Sequence, residues 1–257
     1  METKTIRDQE YFLKSLREDG VEEIYVARAK QTAAGKKSAV SVPPEVPQEA
    51  RTAQPSVSQT GPRSVRDELI ELRDKVLACS RCTELALTRK TVVFGAGNAS
   101  AKLMFVGEAP GHDEDVQGLP FVGKAGQLLT KIIESIGYTR KQVFICNVLK
   151  CRPPQNRTPQ SDEIMNCHDY LMKQIALIHP QIICALGTFA AQTILKTGQS
   201  ISHLRGKFYD FPGSVPPDGQ PIKVICTFHP AYLLRNPQDK RKVWEDMKMI
   251  QKELEGK

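Results

Sequence analysis

Five short apolar runs dominate the chain after residue 90: TVVF, KLMFV, VFICN, QIICAL and KVICTF. Their Val, Ile and Phe content reads as β-strand. Helical patterns separate them: AGQLLTKIIESIG, a long segment from Pro159 to Ile178 with Thr158 as N-cap, TFAAQTILK, and NPQDKRKVWEDMKMIQKEL. Ahead of them, SVRDELIELRDKVLAC sets Leu69, Leu72 and Val76 at helical spacing, with Ser64 as N-cap and an acid three residues later. Continuous apolar strands alternating with helices must be covered on both faces. The fold class expected is therefore α/β, a three-layer α/β/α arrangement with a mainly parallel central sheet. No internal repeat is present.

In such a sheet, ligands bind outside the carboxyl ends of the strands. KLMFV ends in Gly107-Glu108, VFIC ends in Asn147, and KVICTF leads to His229-Pro230. Any one of these could be a capping or turn residue. An acid, an amide and an imidazole at three strand ends converge on one crevice and point to a site. The stretch VGEAPGHDED adds a glycine-hinged, acid-rich loop at the first of those ends.

At 257 residues and 40% hydrophobic, the chain can bury one sizeable core. No apolar run approaches the roughly 18–20 residues of a membrane span. The start, METKTIRDQEYFLK, lacks a basic-then-apolar signal pattern, so a cytoplasmic protein without membrane contact is expected. The net charge of +7 sits almost wholly after residue 64, since residues 1–64 hold ten Lys/Arg against nine Asp/Glu. A positive field on the folded part suits a polyanionic partner such as nucleic acid. Residues 31–64 contain five prolines and no Leu, Ile, Phe, Tyr or Trp, the composition of a disordered linker. Before it, DQEYFLKSLREDG places Tyr11, Phe12, Leu13 and Leu16 in a charged frame. The domains expected are an amphipathic helix within 1–30, read first as a solvated helix in a dispensable tail and second as one that docks on the core or on a protein partner, then the 31–64 linker and one domain over 65–257.

Seven cysteines do not form an even disulfide framework. Cys146, Cys184 and Cys226 lie inside apolar strands, where cysteine acts as a small hydrophobe. That leaves Cys79 and Cys82, in C-S-R-C, and Cys151 and Cys167, flanking RPPQNRTPQSDEIMN. Four thiolates satisfy either tetrahedral zinc or a 4Fe–4S cluster, and the spacing leaves both open. GAGNAS, from Gly95 to Ser100, lacks the third glycine of a dinucleotide fingerprint and leads into a strand, so it reads as a turn.

The combined pattern resembles the iron–sulfur uracil-DNA glycosylases of the fourth, thermostable-type family. The matching elements are C-x2-C, ALTRKTVVFGAG, GEAPGHDEDVQGLPFVGKAGQLL, CNVLKCRPPQNRTP with Cys167 downstream, and HPAYLLRNP. A sister iron–sulfur family accepting broader lesions lacks the asparagine found here at 147. Another relative, which traps itself covalently on DNA, has glutamine in place of Ala109 and an inserted basic loop, neither of which appears. The N-terminal extension lies outside the family core.

The resemblance implies a monomeric repair enzyme that flips uracil out of single- or double-stranded DNA and hydrolyses its glycosidic bond. It implies a 4Fe–4S cluster on Cys79, Cys82, Cys151 and Cys167. Gly107, Glu108, Ala109, Phe121, Asn147 and His229 are the implied base-binding residues, with Asn147 reading the O4–N3 edge and Phe121 stacking. His229 is the implied donor at uracil O2, while Glu108 and Glu114 orient water or favour the cationic sugar. Gly111 takes the place of a bulky tyrosine that blocks the thymine methyl elsewhere in the superfamily, a task that then falls to Glu114. Leu233, Leu234 or Arg235 would fill the gap left by the flipped base, and Arg157 and Arg235 would meet phosphates. The rival reading is an iron–sulfur redox or sensor protein that binds DNA without base release.

Overall fold

The computed structural model of the protein describes residues 63–213 and 220–256. The expected helix within 1–30 and the linker at 31–64 fall almost wholly outside the described residues. The first described helix, α1 (Val65–Leu77), starts at Ser64, whose Oγ accepts from Asp67 N–H at 3.2 Å, and it buries Leu69, Leu72 and Val76. Short α2 (Thr83–Thr88) follows.

Six strands form one sheet: β1 (Ala96–Gly97), β2 (Leu103–Gly107), β3 (Phe144–Asn147), β4 (Ile182–Leu186), β5 (Phe208–Asp210) and β6 (Lys223–Thr227). Their order is β1-β3-β2-β4-β6-β5, with the four inner strands parallel and the two edges antiparallel. The remaining helices are α3 (His112–Gln117), α4 (Lys124–Glu134), α5 (Ser161–Ile178), α6 (Thr188–Leu195), α7 (Ile201–Leu204), α8 (Pro230–Arg235) and α9 (Lys240–Leu254). Because side chains alternate across a strand, the sheet divides the core in two. Met104, Val106, Phe144, Cys146, Ile183 and Val224 pack with α1, α5 and α6. Leu103, Phe105, Ile145, Ile182, Cys184 and Ile225 pack with α4 and α9. The inner strands are buried almost throughout, as expected of a parallel sheet covered on both faces.

Three expectations need correction. TVVF is not a ladder strand: Val92–Phe94 is buried but bonds outside the sheet, Val93 N–H to the Lys150 carbonyl at 2.8 Å, and the strand falls on Ala96–Gly97 inside GAGNAS. The long helix starts at Ser161 with Gln160 as N-cap, not at Pro159 behind Thr158. Pro159 disfavours a helical residue before it, and the Glu163 carboxylate accepts from Gln160 N–H at 2.8 Å, which starts the helix there. Edge strand β5 was not legible, being three half-exposed residues with no apolar run.

Candidate active site

The β2–β3 register aligns Gly107 with Asn147 at the carboxyl ends of both strands. Past that pair the chains stay locked, Val148 N–H donating to the Gly107 carbonyl at 2.9 Å and Leu149 N–H to the Glu108 carbonyl at 3.0 Å. A hollow of about 460 Å³ opens there, bounded by Glu108, Ala109, Glu114, Phe121, Asn147 and His229. Gly107 sets the spacing of its floor. A Cβ there would lie 2.4 Å from Asn147 Oδ1 and 2.5 Å from Phe121 Cζ, so only glycine lets amide and ring approach.

Asn147 is 1% exposed, and its Oδ1 has no hydrogen-bond partner among the described residues. A buried amide oxygen left unpaired loses its solvation without compensation. At a hollow's wall, that is an acceptor held ready for a ligand's donor. Phe121 stands beside it with φ at +54°, unusual for a bulky residue. Surrounding contacts hold it. Arg140 donates to the Pro120 and Phe121 carbonyls at 2.7 and 3.2 Å, and a Cβ on Gly126 would meet the Phe121 carbonyl at 1.8 Å.

The acids of the VGEAPGHDED stretch do three different things. Asp113, Glu114 and Asp115 sit in the first turn of α3, so the loop becomes helix sooner than its glycines suggest. Glu114 Oε2 accepts from Gly111 N–H at 3.1 Å, and Oε1 accepts from Val122 and Gly123 N–H at 2.8 and 3.0 Å. Its carboxylate thus clamps the backbone on both sides of the hollow, next to Phe121. Asp115 accepts from Lys90 and Thr91 N–H, tying α3 to the segment after α2. Glu108 alone faces the hollow with no carboxylate partner among the described residues, and burial pushes its carboxyl above the ordinary range.

His229 follows β6 and caps α8. Its Nδ1 accepts from the Ala231 N–H at 3.1 Å. Since a backbone N–H can only donate, the neutral ring carries its proton on Nε2. Burial pushes the imidazole down to about 4, with the Arg235 charge adding to the effect. The ring lies 5.5 Å from that of Phe121, tilted by 34°. Acceptor Oδ1, aromatic face and imidazole donor therefore line one cavity, the first and last from the ends of β3 and β6 and the ring from the segment between α3 and α4.

The four cysteines outside the sheet meet beside this cavity, where the end of α1, the segment after β3 and helix α5 come together. Cys151 and Cys167 are buried, with Cys79 and Cys82 packed against the same cluster. Donors are aimed at the sulfurs. Arg89 Nη1 reaches Cys151 Sγ at 2.9 Å, Asn166 Nδ2 reaches Cys82 Sγ at 3.6 Å, the Lys150 N–H bonds to Cys167, and Tyr170 bonds to Cys79. Burial pushes the Cys82 and Cys151 thiols up, and Cys167 to about 11. Donors converging on sulfur suit thiolates, while burial resists forming them. A cationic centre bound by all four would resolve that conflict, so the chemistry of the donor set fits one. Among the described residues, no three His, Cys, Asp or Glu side chains stand as ligands to a single metal ion.

A second hollow, of about 520 Å³, lies at the amino ends of the strands, between Lys102, Gln181 and Lys223. It holds none of the converging groups above.

The family model of the uracil DNA glycosylase superfamily matches residues 94–248. A type-4 uracil-DNA glycosylase of Archaeoglobus fulgidus is 44% identical over 188 residues, covering 72% of this chain and 92% of the relative. One from Thermotoga maritima is 45% identical over 186 residues, covering 71% and 93%. One from Saccharolobus solfataricus is 43% identical over 196 residues, covering 74% and 88%. The chain belongs to the type-4 uracil-DNA glycosylases.

In this glycosylase the loop after His229 departs from one expectation. Leu233 is 1% exposed and packs in the core below α8, so it cannot enter a DNA stack. Helical spacing turns its neighbours outward: Leu234 is 46% exposed, and Arg235 is exposed at the cavity edge. Arg157 reaches the cavity edge too, but its guanidinium is held by Glu163 at 2.6 and 3.0 Å and by Glu84 at 2.6 Å. It joins α2 to the start of α5. Sequence reasoning missed Tyr232, which lines the glycosylase cavity with its hydroxyl on Asp239 at 2.7 Å, and Asn156, which lines it too. Neither lies at a strand end, so the order of apolar runs gives no sign of them. No helix among the described residues is long and apolar enough to cross a membrane.

Proposed function

We propose that the cavity receives a uracil rotated out of DNA, that Asn147 reads it, and that Glu108 and His229 divide the charge formed when its glycosidic bond breaks. The unpartnered Asn147 Oδ1 carries this reading. It accepts from N3–H of uracil, which cytosine lacks, while the amide nitrogen donates to O4, where cytosine has an amine. Leaving such a buried group unpaired against the wrong base is the strong form of discrimination. Phe121 offers its face to the base.

In hydrolysis the C1′–N1 bond breaks with its electron pair going to the base, a water oxygen bonds to C1′, and the proton released ends on the departing uracil or in solvent. Negative charge gathers at uracil O2, where the neutral His229 donates from Nε2. Glu108, unpaired and facing the hollow, favours the cationic sugar and orients water. Glu114 acts through the backbone it clamps and so is a positioning residue.

Cys79, Cys82, Cys151 and Cys167 would hold a 4Fe–4S cluster. Bound there, it would supply a structural tie, its cationic core balanced by the four thiolates, joining α1 to the segment leading from Asn147. Arg235 and Leu234 face DNA, Leu234 as the candidate wedge, and Arg157 orders the approach to the phosphates through α2 and α5. The wider proposal is a monomer in the cytoplasm acting on single- or double-stranded uracil-DNA through residues 65–257, with residues 1–30 left for a protein partner. Incubation with a uracil-containing oligonucleotide and alkali tests the activity. Strand scission at uracil, with thymine and cytosine spared, is expected, and intact DNA at high enzyme overturns the reading.

A further inference from the structure

Lys150 has no part in the chemistry above, yet it is 1% exposed, three residues after Asn147 and one before Cys151. Its Nζ donates to the Asn147 carbonyl at 2.7 Å and to Gln174 Oε1 at 2.6 Å. Gln174, fully buried on α5, donates in turn from Nε2 to the Phe94 carbonyl at 2.9 Å. The lysine main chain is pinned as well, its carbonyl accepting from Val93 N–H at 2.8 Å and its N–H bonded to Cys167.

Burying an amine is expensive unless it is fully hydrogen-bonded, and a methionine would fill similar space without that penalty. Packing therefore does not account for a lysine here. Among the contacts an apolar residue cannot make, it holds the carbonyl of Asn147, the last residue of β3 and the end of the β2–β3 register. Past that point Val148 and Leu149 N–H still bond to the Gly107 and Glu108 carbonyls, and Lys150 Nζ adds a bond to the carbonyl of Asn147 itself.

We propose that Lys150 is a positioning residue for base recognition: with Gln174 it fixes the Asn147 backbone and so aims the side-chain amide, linking that aim to the helix that carries Cys167. This rests on Asn147 reading the base, as argued above. A displaced amide no longer meets the uracil edge, and small misplacements in a preorganised site lower the rate by up to about 10²-fold.

The test is a double-mutant cycle in the full-length, iron-loaded protein, with single-turnover rates on a uracil oligonucleotide, DNA affinity, iron per chain and Tm measured for each variant. Lys150→Met is expected to slow base release by at least about tenfold in the otherwise unchanged enzyme. In an Asn147→Ala background the same change should matter less than about twofold, because the group being aimed is gone. DNA affinity and iron content should not change. Gln174→Met, which removes one Nζ bond and leaves that to the Asn147 carbonyl, should give a smaller loss with the same dependence on Asn147, and it takes the place of Lys150→Met if that variant does not fold. A merely structural lysine would lower Tm and change the rate by the same factor in both backgrounds, which would overturn the inference. So would a loss of rate that follows lost iron. If Asn147→Ala alone leaves the rate unchanged, the base-reading role fails and takes this inference with it. A slow Asn147→Ala with an additive cycle overturns the inference alone.

Discussion

The base cavity and the cysteine corner lie side by side, and they treat polar atoms in opposite ways. In the cavity, among the described residues, neither the buried Asn147 Oδ1 nor the Glu108 carboxylate has a partner. In the corner, donors from Arg89, Asn166, Lys150 and Tyr170 reach the four sulfurs. Unsatisfied groups at a cavity wall await a visiting ligand, and satisfied ones frame a resident group. Substitutions in the cavity should therefore change the rate before stability, and those in the corner should change stability before the rate.

The largest expected effect is at His229. His229→Ala should slow single-turnover uracil release by about 10²–10³-fold, as for the loss of one preorganised donor, with DNA affinity nearly unchanged. Equal losses in rate and affinity would erase the distinction between the two regions. Next is the corner: Cys151→Ser and Cys167→Ser should each lose bound iron and the yellow-brown colour and lower Tm, read by absorbance, iron assay and calorimetry. Full iron in both variants would mean that other residues are the ligands.

A smaller effect should appear in the pH profile. Burial raises the Glu108 carboxyl above the ordinary 4.5, so the active carboxylate is lost as pH falls through a value higher than that. The acid limb of kcat/KM should lie there and disappear in Glu108→Gln. His229 contributes at lower pH, since its folded value is about 4 against the ordinary 6.5. With the folded value depressed, the unfolded chain takes up this proton first, so the His229 contribution to stability declines as pH falls from 6.5 toward 4. An acid limb unchanged in Glu108→Gln would remove Glu108 from the mechanism.

The smallest effect is at Cys184. It is buried in β4, away from the corner, and Cys184→Ala should keep the colour and cost about 1 kcal/mol of packing, a Tm shift of about 2–4 °C. Lost colour there would mean that the sheet cysteines had been misread.

Much of the site was legible because strand ends are legible. Four of the five apolar runs became inner parallel strands, and their last residues carry Gly107, Asn147 and, two residues on, His229. Hydrophobic run length shows where a parallel strand stops, and the residue after it must face the crevice. TVVF misled because apolar content measures burial, whereas strand pairing depends on what the backbone meets. Leu233 and Leu234 show a similar limit, since neighbouring leucines in a six-residue helix point one inward and one outward.

By itself the sequence determined the alternation that makes an α/β sheet, the three strand ends that form a site, and the set of four cysteines apart from the strands. These depend on periodicity and order along the chain, which local composition records. Only the tertiary structure decided which nitrogen of His229 accepts from Ala231, that the Glu114 carboxylate is occupied by backbone N–H groups while that of Glu108 is not, and that a lysine deep in the core holds the end of β3 at Asn147. Each of those depends on which atoms from distant segments come within about 3 Å of one another, and a linear pattern carries no such distance.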